Sequence, residues 1–436
     1  MGAIDEANAP LRNTECPGAP IPCMRPRLRH SRRGSARSRA QEPSKTQKAS
    51  FMHYIFARRR PGLGLLPTRL AAAALGAPLI FAHIQTASAD VSLPDVTVGA
   101  GLQTSFYDCD KACIYSSGTP HTPGGSVQGI DLDSIRLYIN GAVTDQIKFT
   151  FDTEYTGSGS GPGDNKVAVL DAIARYEYSS AFNLWAGRFL PPSDRANLYG
   201  PYYADDWTPF ADGVADYYPD VATGRDNGVA YWGDYGPMKL QVGAFDGGSL
   251  NSAVADKSKL LGAARAMWDF WDKESGYYLN GTYYGDKHVL ALGLAGQTQD
   301  SKTAWSLDGL LDEPLRGAGA ISLEGEYQKD DGLVATTASH GWYALAAYLF
   351  PQVIGIGRFQ PLVKYSEKTF DAGPSAVTTA AYVPGFELKT TEVDLNYVIK
   401  EFNARVGLYY LHQSNDAITA VGGSPTEVGV KLQLQM

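Results

Sequence analysis

Between Ser134 and Tyr155 the chain reads SIRLYINGAVTDQIKFTFDTEY, and apolar residues fall on every second position. Ile135, Leu137, Ile139, Gly141 and Val143 alternate with Arg136, Tyr138, Asn140 and Ala142. After a tight turn at 144–146, Ile147, Phe149, Phe151, Thr153 and Tyr155 alternate with Lys148, Thr150, Asp152 and Glu154. A period of two puts successive side chains on opposite faces of a strand, so this is a hairpin with one apolar and one charged face. A soluble sandwich gives the same pattern, and one hairpin decides nothing. Repetition decides more: the alternation returns at 321–327, 358–365, 392–397 and 404–410, and in the closing EVGVKLQLQM.

Sixteen such segments can be counted, from 96–107 to 427–436, an even number as a closed single-chain membrane barrel requires. Connections after even-numbered strands are mostly short, as at 144–146, 179–181, 235–237 and 400–402, with 271–287 and 312–318 longer. Connections after odd-numbered strands are long, with 299–302 the short exception: 108–133, 157–166, 190–226, 247–259, 329–340, 368–389 and 413–426. A sandwich has no reason to sort its loops by parity. The expected fold is all-β: a transmembrane antiparallel β-barrel of about sixteen strands. Segment 271–287 is the weak point, because its GYYLNGTYY reads as a further strand that would make the count odd.

The long connection Leu190–Asp226 is 37 residues of Pro, Gly, Tyr and Asp without sustained periodicity. A loop that long within a compact unit has a function or is disordered. The expectation is that it folds into the barrel and narrows the channel. It carries no Lys, only Arg195 and Arg225, against Asp194, Asp205, Asp206, Asp212, Asp216, Asp220 and Asp226.

The N-terminal part has a different logic. Residues 1–51 are basic and rich in Pro, Ser and Arg, and cannot bury a core; they read as a disordered extension or a mis-assigned start. Residues 52–89 have the three parts of a secretory signal: Arg58-Arg59-Arg60, the apolar run Leu70–Ile84, and the small residues Ala87-Ser88-Ala89. The barrel would then occupy 90–436. The first 89 residues hold 14 of the 38 basic and 4 of the 46 acidic residues, which leaves the remainder at net −18. Such a charge repels nucleic acid and excludes that partner class. After Ala89 no apolar stretch is long enough for a spanning helix, which says nothing against strands. Cys109 and Cys113 remain after cleavage; export favours a disulfide between them, and a metal pair is the alternative.

If the apolar parity faces lipid, the other parity faces water inside. That expectation puts Arg136, Lys148, Asp152, Glu154, Asp171, Arg175, Glu177, Arg188, Arg265, Arg358, Lys364 and Arg405 in the lumen. Charges in a narrow, low-dielectric channel focus the field and select ions. The acidic loop is expected to stand against a basic patch of Arg136, Arg175 and Arg188. The alternative is that these charges solvate the wall or pair with the loop and pin it. Paired tyrosines such as Tyr202-Tyr203 and Tyr277-Tyr278 suit interfacial girdles and loop packing more simply than sugar stacking. Asp205-Asp206 and Asp216 with Asp220 match no Ca²⁺-loop spacing. Of the four histidines after residue 89, His121, His288, His340 and His412, none lies in a nucleophile motif. Ser414 near His412 is the one thread an enzyme reading can pull.

The runs GRFLPPSDR (Gly187–Arg195), WDKESGYYLNGTYYGDKHVLALG (Trp271–Gly293) and LEGEYQ (Leu323–Gln328) resemble the phosphate-selective porin O and P family of Gram-negative outer membranes. The resemblance spans most of 96–436 and implies a sixteen-stranded barrel, commonly a trimer, with the third long loop inside. The loop's lack of Lys departs from a phosphate-specific member, so phosphate preference is not carried over. Met436 replaces the terminal Phe usual in barrel-assembly signals. The expected function is a passive outer-membrane channel for small hydrophilic solutes and ions, with no reaction and no cofactor. Its expected partners are outer-membrane lipid, those solutes and two further copies of the chain. A channel specific for an anion such as phosphate, or for a sugar, is the alternative, and a barrel enzyme a more distant one.

Overall fold

The computed structural model describes residues 96–111, 113–114, 125–155, 167–207, 225–247, 259–333, 338–371, 386–415 and 424–436. The basic extension and the signal segment lie outside them, as do Asp212, Asp216, Asp220 and His121. The strands are β1 (Val96–Asp110), β2 (Val127–Ala142), β3 (Ile147–Tyr155), β4 (Val167–Ser179), β5 (Phe182–Phe189), β6 (Asp226–Tyr235), β7 (Met238–Phe245) and β8 (Leu261–Asp269). They continue as β9 (Val289–Gln299), β10 (Lys302–Leu315), β11 (Gly319–Asp330), β12 (Ser339–Leu349), β13 (Arg358–Phe370), β14 (Phe386–Lys400), β15 (Ala404–Asn415) and β16 (Thr426–Gln435). One five-residue helix, α1 (Arg195–Tyr199), interrupts the series after β5.

Each strand pairs antiparallel with its sequence neighbours, and β1 closes on β16, so the sixteen make one closed barrel. The final residue takes part in that closure. Met436 donates its N–H to the Ala100 carbonyl at 2.9 Å and accepts from the Ala100 N–H at 3.0 Å. Closure leaves no edge strand with unpaired backbone groups, which is the condition for strands in hydrocarbon. The strands near the first long loop run further than alternation alone marks: Cys109 pairs with Val127, with a bulge between Gln103 and Ser105. Cys109 and Cys113 are joined by a disulfide at the end of β1.

The expected parity holds for most of the wall. Ile135, Leu137, Leu292, Leu294, Val393 and Val430 point outward and are exposed, as an apolar belt requires. Aromatic residues gather at its margins. Tyr178, Phe182, Tyr235, Trp268 and Phe350 lie toward the short-turn rim, and Phe106, Trp305 and Trp342 toward the long-loop rim. Arg188 departs from the expectation. It shares the outward parity of Phe182, Leu184 and Ala186, and its Nε donates to the Val169 carbonyl at 3.1 Å. The inward places on β5 go to Asn183, Trp185 and Phe189, because the interior beside them is an apolar core.

Segment 271–287 is no seventeenth strand. It belongs to a connection, 270–288, that leaves the short-turn rim and folds into the barrel, where Tyr277, Leu279 and Tyr284 are buried.

Candidate functional site: the lumen and its two insertions

The long loop enters from one rim and 270–288 from the other, and they meet inside. Residues 190–199 are buried throughout. Asp194 starts α1 as its N-cap, one oxygen accepting from the Asn197 N–H at 2.9 Å and the other from the Asn197 side chain at 2.7 Å. Gly200 ends it with φ 63°. Burial raises the Asp194 carboxyl to about 6.

Arg195 is the joint between the insertions. It is fully buried; one guanidinium nitrogen donates to Glu274 Oε1 and to the Asn280 carbonyl, each at 3.0 Å, and the other donates to Glu274 Oε2. Its Nε lies 3.8 Å from Asp308 on β10. Burial pushes the Glu274 carboxyl up, but Arg195 outweighs it and holds the group below its ordinary value. Arg265 on β8 donates to Asp308 Oδ1 at 2.7 Å and to the Ser193 carbonyl at 3.1 Å. Backbone contacts complete the joint: Gly281 N–H donates to the Tyr203 carbonyl at 2.8 Å, and Leu279 N–H to the Leu198 carbonyl at 3.4 Å. A Cβ on Gly281 would come 3.0–3.2 Å from the backbone of Tyr203, Ala204 and Asp205, tighter than ordinary contact, so a side chain here would push the two insertions apart by a few tenths of an ångström.

Beyond α1 the loop follows the wall toward β13–β16. The Asp205 side chain accepts from Gln360 at 2.8 Å and its carbonyl from Arg405 at 3.0 Å. Burial holds the Asp205 carboxyl well above its ordinary value. Asp206 pairs with Lys364. The Trp207 N–H donates to Glu392 at 3.1 Å, and the Arg405 guanidinium lies 4.1 Å over the Trp207 ring. Tyr199 donates to Glu324 at 2.9 Å and Tyr202 to Ser134 Oγ at 3.0 Å.

These contacts revise the sequence expectation. Asp194, Arg195, Asp205, Asp206 and Arg265 are at most 3 % exposed and do not line open water. A buried charge is tolerable only with a partner: Arg195, Asp205, Asp206 and Arg265 find theirs on β8–β15 or the opposite insertion, and Asp194 finds its own in Asn197 of α1. The loop's described acids therefore do not face the β2–β4 wall; Tyr202 and Tyr203 do. Arg136 lies 4.9 Å over the Tyr202 ring.

Accessible charge is concentrated on β2–β4. Arg136 donates to Glu154 at 2.8 Å, Lys148 donates to Glu177 at 2.8 Å, and Arg175 lies 3.7 Å from Glu177. The side chains of Lys148, Arg175, Glu177 and Glu154 are 33, 19, 17 and 14 % exposed, and Tyr203 opposite is 39 % exposed. Asp171 on the same wall pairs with Arg225 at 2.9 Å and accepts from Tyr278 at 3.3 Å. Lumen water touches an alternating ladder of cations and carboxylates here, with aromatic rings facing it.

Other candidates fall away from this passage. Asp205 and Asp206 each engage a wall residue through one oxygen, Gln360 and Lys364, and among the described residues no group of three carboxylates converges there as a Ca²⁺ cradle. His412 shares the outward parity of Leu408 and Tyr410 and stands 3.2 Å from Thr426 Oγ1. Sequence reasoning missed Glu274 and Asp308 as partners of the loop and the inward course of 270–288. Their signal was weak: three glycines, Gly276, Gly281 and Gly285, in a stretch otherwise patterned like a strand.

No protein-family model matches the sequence, and no curated protein does. Among solved structures, the barrel is similar to the anion-selective porin from Comamonas acidovorans, at 14 % identity over 78 % of this chain and 99 % of that one, TM-score 0.50. It is similar also to OprB of Pseudomonas putida in a high-pH structure, at 10 % identity over 78 % and 94 %, TM-score 0.50. The channel DcaP of Acinetobacter baumannii gives 14 % identity over 78 % and 97 %, TM-score 0.49. At such identities the likeness is one of fold.

Proposed function

We propose that the chain is an outer-membrane porin: a passive diffusion channel for small hydrophilic solutes and ions, acting without catalysis and assembled as a homotrimer. One observation carries the reading. A closed barrel with an apolar exterior keeps charges on its inner β2–β4 wall, in contact with water and opposite a loop folded inside. A channel needs that combination, whereas a structural barrel has no use for hydrated charge within. The fold likeness to porins agrees with it. The short-turn rim is then periplasmic and the long-loop rim extracellular.

A second reading, a solute-selective channel, draws support from the double insertion. Two segments entering from opposite rims leave a narrower passage than one. Selectivity would rest on Arg136, Lys148 and Arg175 against Glu154 and Glu177, since the described loop acids are sequestered.

The test is single-channel conductance of the refolded barrel in a planar bilayer under a salt gradient. Stable stepwise conductance is expected, with a reversal potential that moves toward cation preference in Arg175→Gln. Folded protein without conductance would overturn the porin reading.

A further inference from the structure

On the short-turn rim, between the ends of β9–β13, lies a cavity of about 420 Å³. That volume suits a small ligand. Tyr284, Pro314, Leu315 and Pro351 give its lining apolar surface, and Arg316 and Arg358 stand on the same lining. Arg358 begins β13 on the inward parity of Gln360 and Lys364, and Leu315 ends β10 on the outward one, so the cavity sits on the rim itself.

The state of these two arginines sets them apart. Arg136, Arg195, Arg265 and Lys364 each meet a carboxylate. Among the described residues no carboxylate lies within ion-pair distance of Arg358, although it is half-buried, or of Arg316. His288, also on the lining, is engaged at 3.0 Å by Glu313. Asp286 is the acid on the lining, and it is exposed. The cavity thus offers one half-buried guanidinium, Arg358, and one exposed one, Arg316, beside apolar surface.

We propose that this cavity binds a small organic anion: a carboxylate, taken by Arg358 and Arg316, on an apolar body resting against Tyr284, Leu315 and the two prolines. A guanidinium fork matches the two oxygens of a carboxylate, and the pairing strengthens where water is partly excluded. The apolar part of the lining separates this chemistry from that of a bare inorganic anion, which leaves those side chains wetted. The site stands at the periplasmic exit, away from the β2–β4 ladder. It gives the channel a solute class and in that sense rests on the porin reading.

The test is ligand-observed NMR on the full-length barrel refolded in detergent, with benzoate as probe and folding checked by heat-dependent gel mobility. Saturable benzoate binding is expected, weakened tenfold or more in Arg358→Gln and Arg316→Gln. Benzamide, with the same ring and no charge, should not compete, and inorganic phosphate should compete poorly. Arg358→Glu should bind benzamidine in preference to benzoate. Unchanged benzoate binding in Arg358→Gln, equal binding of benzamide, or displacement by phosphate at matched concentration would each overturn the proposal. Conductance without benzoate binding would sink this inference alone; benzoate binding by a barrel that does not conduct would sink the porin reading and leave the site standing.

Discussion

The two sides of the lumen are built from different chemistry. From β4 to β10 the inward residues include Ile173, Trp185, Phe189, Phe245, Leu261, Met267, Val289 and Leu310, which pack with Leu190, Leu198, Tyr277 and Leu279 of the insertions into one core beside the Arg265–Asp308 pair. From β11 round to β3 the loop meets mainly polar inward residues, among them Glu324, Gln360, Lys364, Asn396, Arg405, Gln433, Ser134 and Arg136. The same loop crosses both territories. It is embedded in the first as in a soluble protein's core and riveted to the second by hydrogen bonds and ion pairs. A membrane barrel can therefore keep a second hydrophobic core, separate from its lipid-facing belt, and the loop's position depends on both.

The comparison breaks most readily at Arg195. Arg195→Ala leaves Glu274 buried without its cation, while Asp308 keeps Arg265, a loss of about 3–5 kcal/mol. The expected result is an early phase in urea unfolding and protease cleavage within 190–207, with the barrel itself intact. Phe189→Ala tests the packed side directly. The ring lies 5.2 Å from Phe245 and 5.8 Å from Tyr277, and its removal is expected to cost about 3–5 kcal/mol by the same unfolding measurement. If neither change loosens the loop, the core is not what holds it.

Acid sharpens the contrast within the loop. The folded-state value of Asp194, about 6, lies above its ordinary 3.8. The folded form therefore binds the extra proton, and this group's contribution falls as pH rises from about 4 to 6 and is flat above. Glu274 has the opposite sign, and its contribution is lost as pH falls below the ordinary carboxylate range. Loop cleavage rates measured between pH 3 and 7 should keep only the acid-side loss in Asp194→Asn. The smallest effect belongs to the polar side: Tyr202→Phe removes the 3.0 Å bond to Ser134 and is expected to cost about 1 kcal/mol. A cost near that of Phe189→Ala would mean that the rivets, not the core, dominate.

What was legible in the sequence follows from this division. The strands were, because each has lipid on one side, and hydrocarbon enforces alternation residue by residue. The inner wall of β5 was not, since Phe182-Leu184-Ala186 and Trp185-Phe189 are apolar on both parities; charge alone sent Arg188 to the wrong face. The loop's inward course could be read from its length and composition, but not the fate of its acids. Asp206 finds Lys364, and Arg195 finds Glu274 and Asp308, across 79 to 158 residues of chain. No local pattern encodes such pairs. Segment 270–288 failed for a related reason, its alternation being that of a chain laid against a core.

The closing contact of Met436 with Ala100 bears on the order of assembly. Most neighbouring strands form ladders with little chain between them, whereas β1 and β16 are separated by the rest of the barrel. Non-local pairing of this kind comes late in folding, since its loop-closure entropy is repaid only at the end. Once the ring is shut, insertions hooked to each other from opposite rims cannot be withdrawn from either side without parting Arg195 from Glu274.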